Sequence, residues 1–303
     1  YVTQRKESDK VEILSGVFEG KTTGTPIGLL VRNTDHKSKD YENIKDKFRP
    51  GHADFTYQQK YGIRDFRGGG RASARETVMR VAGGAIAKKV LEKKGVIVRA
   101  GVMQIGDIVA DSHNFSDVSK NDFNFVDKSK VKALENFFKE LIKDQDSIGA
   151  KIIVNISGLQ PGVGSPVFSK LDAELAKSLM SVNAVKAIEI GTGVDSVTMR
   201  GSENRDIISV DGFETNNSGG ILGGISNGDD INIFTSLKPT SSISQKTTTT
   251  NIDNQKVDLE VKGRHDPCVG LRAVPILEAM AALTIIDQML IDKAQCFDVE
   301  RKS

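Results

Sequence analysis

Five arginines and a histidine crowd the stretch "RPGHADFTYQQKYGIRDFRGGGRASARET", which runs from Arg49 to Thr77 around the glycines at 68 to 70. The planar fork of arginine grips phosphate and carboxylate in two-pronged fashion. Glycine lets the backbone approach a ligand closely, and the amides that open a following helix add donors and a favourable dipole. Together these residues predict an anion site. A nucleic-acid chain, a nucleotide cofactor or a small polyanionic substrate would each use it. A plainer reading is a solvated face on which the arginines pair with Asp65 and Glu76.

His52 stands between Arg49 and Asp54 in "RPGHAD". An imidazole ordinarily titrates near ~6.5, which suits proton transfer at neutral pH. From the residues alone, catalysis and a structural role are both open. The same holds for His265 and Asp266 beside Arg264 in "GRHDPC", a turn or an acid/base pair. Cys268 lies near His265, but no second ligand pair stands at zinc spacing, so no metal is expected. His36 and His113 sit among charges and read as surface residues.

"TNNSGGILGGISNG" (Thr215 to Gly228) lacks the Gly-Lys-Ser/Thr ending of a phosphate-binding loop and the G-x-G-x-x-G of a dinucleotide fold, and so does the triple glycine. It reads either as a backbone wrap for a planar or phosphorylated ligand or as a surface loop. "KPTSS" (Lys238 to Ser242) offers a cation and three hydroxyls after a strand, an unspecific phosphate grip.

The elements around these motifs alternate. Val11 to Asn33 reads as two short strands joined by a Gly/Thr turn. From about Ser73 the apolar spacing is helical, with Ser73 and Glu76 set as a capping box and Gly95 as the stop. Residues 96–110 read as a strand, Val131 to Lys143 as a helix, and 149–159 as a strand. Leu171 to Met180 is helical in spacing, and residues 184–194 and 230–239 are strand-like. Residues 241–254 form a Thr-rich loop or hairpin tip, 256–266 a strand, and Pro275 suits the first turn of a long last helix. The expected fold is one large α/β domain with an internal pseudo-repeat, each half setting a basic, glycine-containing loop before a long apolar helix.

Composition narrows the ligand. Lys+Arg number 42 against 40 Asp+Glu in 303 residues, so the cluster is local. A nucleic-acid partner would bring a basic excess and stacking aromatics, and tryptophan is absent. Cys268 and Cys296 make no disulfide framework and suggest a reducing, cytoplasmic setting. No unbroken apolar run approaches the ~20 residues of a membrane span, so no membrane partner is expected.

"RPGHAD", "RGGGRASARET", "NAVKAIEIG", "GSENRD", "NNSGGILGGISNG", "KPTSSI" and "GRHDPCVGLRAVP", in this order, resemble the motifs of the chorismate synthase family over essentially the whole chain. The resemblance implies a β-α-β sandwich, a homotetramer, and a carbon–oxygen lyase dependent on reduced FMN at the last step of the shikimate pathway. Its substrate, 5-enolpyruvylshikimate 3-phosphate, would lose phosphate from C3 and a hydrogen from C6 to give chorismate. Substrate and flavin together carry two phosphates and two carboxylates, and that density of anions calls for a dense cluster of cations.

Carried over by position, Arg71, Ala72, Ser73, Asn183, Ala184, Gly223, Lys238, Pro239, Thr240, Ser241, Ser242 and Arg264 match flavin contacts. Arg49 and Arg264 match substrate-anion contacts. His52 matches a histidine implied to protonate the reduced flavin, and Asp266 an aspartate implied to help remove the C6 proton through flavin N5. Some members of the family oxidise NADPH themselves. No dinucleotide fingerprint is present here, so an external source of reduced flavin is expected. Ala72 stands where serine is common, and Asn217 where histidine is frequent. The family's amino-terminal Gly-Glu-Ser-His-Gly motif, with a second catalytic histidine, has no counterpart, and the sequence opens on Tyr1. An amino-terminal segment is therefore expected before it.

Overall fold

The computed structural model describes residues 9–33, 42–67, 74–261 and 266–300. Its centre is a five-stranded sheet of β1 (Ile97–Ile105), β2 (Ile108–Val109), β3 (Ala150–Ser157), β4 (Val185–Ile190) and β5 (Ile231–Leu237). The spatial order is β2-β1-β3-β5-β4, and every neighbouring pair is antiparallel. Alternation along the strands directs Val98, Ala100, Val102, Ile152, Val154, Ile156, Ile231 and Ile233 into one continuous core. The expected single strand over 96–110 folds back on itself, because Gly106 takes φ +53° and turns β1 into β2.

Helix α1 (Asp54–Tyr61) adds no residue to that core, whereas α2 (Thr77–Glu92), α3 (Val131–Lys143), α4 (Leu171–Met180) and α5 (Gly270–Gln295) all pack into it. Helices α3 and α4 span the predicted residues, since each carries an apolar stripe of helical period. Helix α5 packs on α2, α4, β1 and β3. Its Glu278 accepts from the Ala100 amide at 2.8 Å and pairs with Lys88 of α2 at 2.7 Å. A short antiparallel strand pair, Val11–Ile13 with Leu29–Val31, adjoins α2 through its second strand.

Two expectations change. Glu76, the other half of the expected capping box, pairs with Arg80 one turn on, at 2.9 Å. Ser73, the expected cap, lies outside the described residues. Helix α5 starts at Gly270, so Pro275 stands inside it rather than in its first turn. Proline cannot donate to the carbonyl four residues back, and the Asn124 side-chain amide donates to that carbonyl, on Leu271, at 2.9 Å. Helix α5 is also long and apolar enough to cross a membrane, by length and composition alone. Polar residues interrupt its apolar runs, which is why the sequence reading missed it. Eleven of its residues are buried, and it packs as a core helix.

The α2–α5 crossing is close because of Gly84. A Cβ there would lie 2.3 Å from the Ala279 Cβ, whereas one at Gly83 would meet only the Leu283 methyls near 3.9 Å. Gly84→Val should destabilise the fold by about 1–3 kcal/mol through overpacking. Gly83→Ala should be neutral or stabilise by about 0.5–1 kcal/mol, the helix-interior preference of alanine. Denaturant midpoints of the two variants check the contrast, and equal effects would refute it.

Candidate active site

The Arg49–Ala53 turn delivers the first group of side chains. Gly51 takes φ +66°, a left-handed conformation open to glycine, and the His52 amide closes on the Arg49 carbonyl at 3.2 Å. Helix α1 starts at Asp54, only 3 % exposed. The Arg49 guanidinium grips the Asp54 carboxylate with two prongs, Nε to Oδ2 at 2.7 Å and Nη2 to Oδ1 at 2.9 Å. The Arg49 amide adds a bond to Oδ2 at 3.2 Å. Arg64, whose side chain is 5 % exposed, stands behind with Nη1 2.8 Å from Oδ1. Its Nη2 donates to the carbonyls of Ile44, Lys45 and Lys47. His52 Nδ1 lies 2.9 Å from Asp54 Oδ1 and 3.0 Å from Arg49 Nη2.

Burial alone would raise the Asp54 carboxyl. The hydrogen bonds from Arg49 and His52, and their charge, outweigh it and hold the group well below the usual carboxylate range. Two guanidiniums share one carboxylate, so the cluster keeps a net positive charge.

A hairpin carries this cluster. Thr247–Thr250 pairs with Lys256–Leu259, so the Thr-rich segment is the first arm of a hairpin whose second arm stops at Leu259. Phe48 donates its amide to the Thr250 carbonyl and receives the Thr249 hydroxyl. Ile44 closes a small separate core with Leu259 and Val261.

The end of β5 brings the second group. The Lys238 amide donates to the Ala184 carbonyl at 2.9 Å. Lys238 Nζ reaches the Gly51 carbonyl at 2.5 Å and Ser241 Oγ at 2.9 Å, and Ser241 Oγ donates to the same Gly51 carbonyl at 2.8 Å. Burial, then the nearby charge of Lys186, pushes the Lys238 ammonium below its ordinary value. Thr240 Oγ1 donates to the Asp266 carbonyl at 2.8 Å, and Asp266 pairs with Arg272 at 3.0 Å. Pro239 follows Lys238, and Ser242 is buried. Asn183 is half-buried in the turn before β4, where Ala184 holds φ +73°. A residue with a Cβ rarely adopts that conformation, and the surrounding bonds must hold it there.

Direct contacts thus join Arg49, His52, Ala184, Lys238, Thr240, Ser241 and Asp266, drawn from four separate stretches of chain. Gly223 is placed elsewhere. It forms with Gly224 the two-residue turn of the Ile221–Leu222 and Ile225–Ser226 hairpin, both at positive φ as that turn demands. This hairpin adjoins Gln160 and the Ile231 end of β5, some ~20 Å along the strand from Lys238 at a rise of ~3.3 Å per residue. Arg71, Ala72, Ser73, Arg264 and His265 lie outside the described residues.

The plainer charge reading describes Arg67, which pairs with Asp65 at 2.8 Å. Arg75 approaches Asp9 at 3.6 Å. Sequence reasoning gave no role to Asp54, Gly51 and Lys186, and it counted Arg64 among the anion-site arginines where the structure sets it against Asp54. Only Asp54 left a usable signal, a carboxylate two residues after a histidine. Among the described residues no group of His, Cys, Asp and Glu is placed to hold a metal. A groove of about 490 Å³ lined by Val96, Gly158, Ile286 and Phe297 lies at the far end of the sheet and contains none of these polar groups.

A cationic neighbourhood with hydroxyls and one histidine, built on a mixed α/β fold, has the chemistry to hold phosphate and carboxylate anions. The family described as chorismate synthase matches residues 1–290, and the chain belongs to that family. A crystal structure of a chorismate synthase superposes with a TM-score of 0.74 at 28 % identity, over 93 % of this chain and 78 % of that one. Membership makes the chain a carbon–oxygen lyase acting on phosphates, at the chorismate-forming step of the shikimate pathway and aromatic amino-acid biosynthesis.

Asp54→Asn should cost about 3–5 kcal/mol at pH 7, because two guanidiniums lose their buried counter-charge. A carboxyl held below its unfolded value stabilises the fold above about pH 4, and that contribution fades as pH falls towards the folded value. The gap between wild type and variant should therefore be level above about pH 5 and narrow below about pH 4. Denaturation at a series of pH values measures it, and a gap that widens in acid would refute the assignment.

The two cysteines should also separate. Burial pushes the Cys268 thiol up to about 11, while Cys296 is partly exposed. Iodoacetamide at neutral pH should label Cys296 alone in the folded protein, and both once it is unfolded. Mass spectrometry of the labelled peptides decides.

Proposed function

We propose that this chain carries out the FMN-dependent 1,4-elimination of phosphate from 5-enolpyruvylshikimate 3-phosphate at the Arg49–His52, Lys238–Ser242 and Asp266 cluster. The observation that carries the reading is the meeting of these motifs through direct hydrogen bonds, although nearly 190 residues separate Gly51 from Lys238. The donor set fits a flavin phosphate and an anionic substrate. Lys238 leaves the left-handed turn at Ala184 with Lys186 nearby in charge, the Ser241 hydroxyl lies on its ammonium, and Gly51 leaves room where a Cβ would crowd Ser241 Oγ at 3.1 Å. When bound, reduced FMN supplies an electron transiently to a reaction with no net redox change.

The chain's own groups do the rest. Arg49 closes its fork on Asp54, so it meets the substrate through its remaining edge and the cluster's surplus charge. Arg264 would add a second cation. His52 delivers a proton from Nε2 on the ligand side. The C3–O bond breaks with departure of phosphate, the C6–H bond gives up its proton with the help of Asp266, and the freed electron pair forms the new double bond. Arg71, Ala72 and Ser73 complete the flavin contacts.

Gly223 lies too far from Lys238 to share a flavin with it inside one chain. In the homotetramer we propose, it reaches the flavin of a neighbouring copy. The strand pair against α2 would start the second sheet of a β-α-β sandwich, the whole chain forming one domain, and the enzyme would work in the cytoplasm on reduced flavin supplied from outside.

Anaerobic mixing with dithionite-reduced FMN and substrate, following chorismate absorbance, tests the reaction. Wild type should turn over, and His52→Ala should be slowed on the order of 100-fold or more. Lys238→Ala should weaken flavin binding about 10-fold or more, the worth of a charge-assisted hydrogen bond. Full turnover in the first variant and unchanged flavin affinity in the second would sink the assignment of these residues.

A further inference from the structure

We infer that Lys186 forms a two-lysine clamp with Lys238 on the phosphate monoester of a bound ligand, and that a bulge in β4 is what turns it to that side. The inference rests on the anion site proposed at Lys238 and adds a cation that the family resemblance leaves unassigned.

Strand parity places both side chains. Along β5 the odd-numbered residues from Ile231 to Leu237 are buried and the even-numbered ones half-buried. Lys238, half-buried, continues the outer row of Phe234 and Ser236. Along β4, Ile190 and Ile188 pack on the core. Unbroken alternation would send residue 186 inwards after them, where a lone ammonium is costly. The register prevents it. Ala187 stands opposite Ser236 and Val185 opposite Leu237, so Lys186 is an extra residue with no partner across the ladder. Such a bulge exchanges the faces of the residues on either side of it. Val185 therefore enters the core, and Lys186 comes out exposed on the face of Ser236 and Lys238. The bond from the Lys238 amide to the Ala184 carbonyl, at 2.9 Å, ties the two strand ends together.

The two ammoniums feel each other, since the charge of Lys186 adds to burial in pushing Lys238 below its ordinary value. Among the described residues neither has a carboxylate partner, and Glu189 on the same strand is held by Lys151 at 3.0 Å. Two of the three donors on Lys238 Nζ go to the Gly51 carbonyl and Ser241 Oγ, at 2.5 and 2.9 Å, which leaves one for a ligand. Uncompensated like charges held side by side favour an anion between them. A phosphate monoester carries about 1.5–2 negative charges at pH 7 and so answers both lysines, whereas a carboxylate answers one. Lysine on an edge strand also discourages pairing with other chains, but that duty needs no second ammonium beside it.

Flavin and substrate each bring a phosphate monoester, and calorimetry separates them. If the clamp holds the flavin, Lys186→Gln should bind FMN about 10-fold more weakly. Riboflavin, which lacks the phosphate, should bind as it does to wild type. If it holds the substrate, the loss should appear with 5-enolpyruvylshikimate 3-phosphate, and FMN affinity should stay unchanged. Lys186→Arg should keep most of the affinity in either case. Unchanged affinity of Lys186→Gln for both phosphate ligands overturns the inference, and so does an equal loss for FMN and riboflavin. Failure of the proposed reaction looks different: wild type would bind without turnover, or bind neither ligand. Inorganic phosphate then decides the clamp. It should protect Lys186 and Lys238 of wild type from acetylation, read by mass spectrometry, and protection no better than that of chloride at equal ionic strength overturns the inference.

Discussion

The candidate site is organised by one buried carboxylate. Asp54 lies at the start of a helix, where the helix dipole favours a negative charge, and it answers two guanidiniums and an imidazole at once. Remove that charge and Arg49, Arg64 and His52 have no common reference. The turn that carries Lys238 would then face a loop of repelling cations. Because the carboxylate serves two arginines, it cannot neutralise the cluster. The surplus positive charge remains on the face where anionic ligands would bind, in a place already shielded from water. Structure and ligand affinity thus come from the same unequal pairing.

The rest of the fold presents that cluster. The sheet and the α2–α5 pair form the rigid body, and the two ends of β5 determine what can meet. Lys238 leaves one end of β5 directly into the Ala184 turn and the Gly51 carbonyl. The Thr247–Leu259 hairpin projects from the same end and supports the Arg49 segment from behind. The distances needed between His52, Lys238 and Asp266 are therefore set by strand register and one hairpin, and long loops contribute little. The strained turn at Ala184 belongs to this arrangement, since its carbonyl receives the Lys238 amide.

Much of this was legible in the chain. Helices α3 and α4 carry apolar residues at a clean helical period, and their ends are marked by charged or small residues, so their limits read directly. The site motifs read as a set only through their resemblance to the chorismate synthase family; taken residue by residue, each left a structural reading open. What could not be read was mostly partnership. Nothing in a linear pattern says that Arg64 turns inward to Asp54, ten positions earlier, while Arg67 pairs outward with Asp65. Pro275 looked like a helix start because the compensating Asn124 side chain comes from the other side of the sheet's sequence. Gly223 entered the set by resemblance alone, and a linear pattern does not record which end of a strand its hairpin joins.

The bond from Asn124 to the Leu271 carbonyl has a consequence in time as well as in space. Helix α5 loses a hydrogen bond at Pro275, and the group that replaces it is 147 residues away in the chain. Closing so long a loop costs entropy before any contact rewards it. The first turns of α5 can form their full set of bonds only after β1 and the turn at Asn124 are in place. Arg272 and its partner Asp266 lie in that same stretch. The seating of Asp266 therefore depends on the sheet and the turn at Asn124 being in place first.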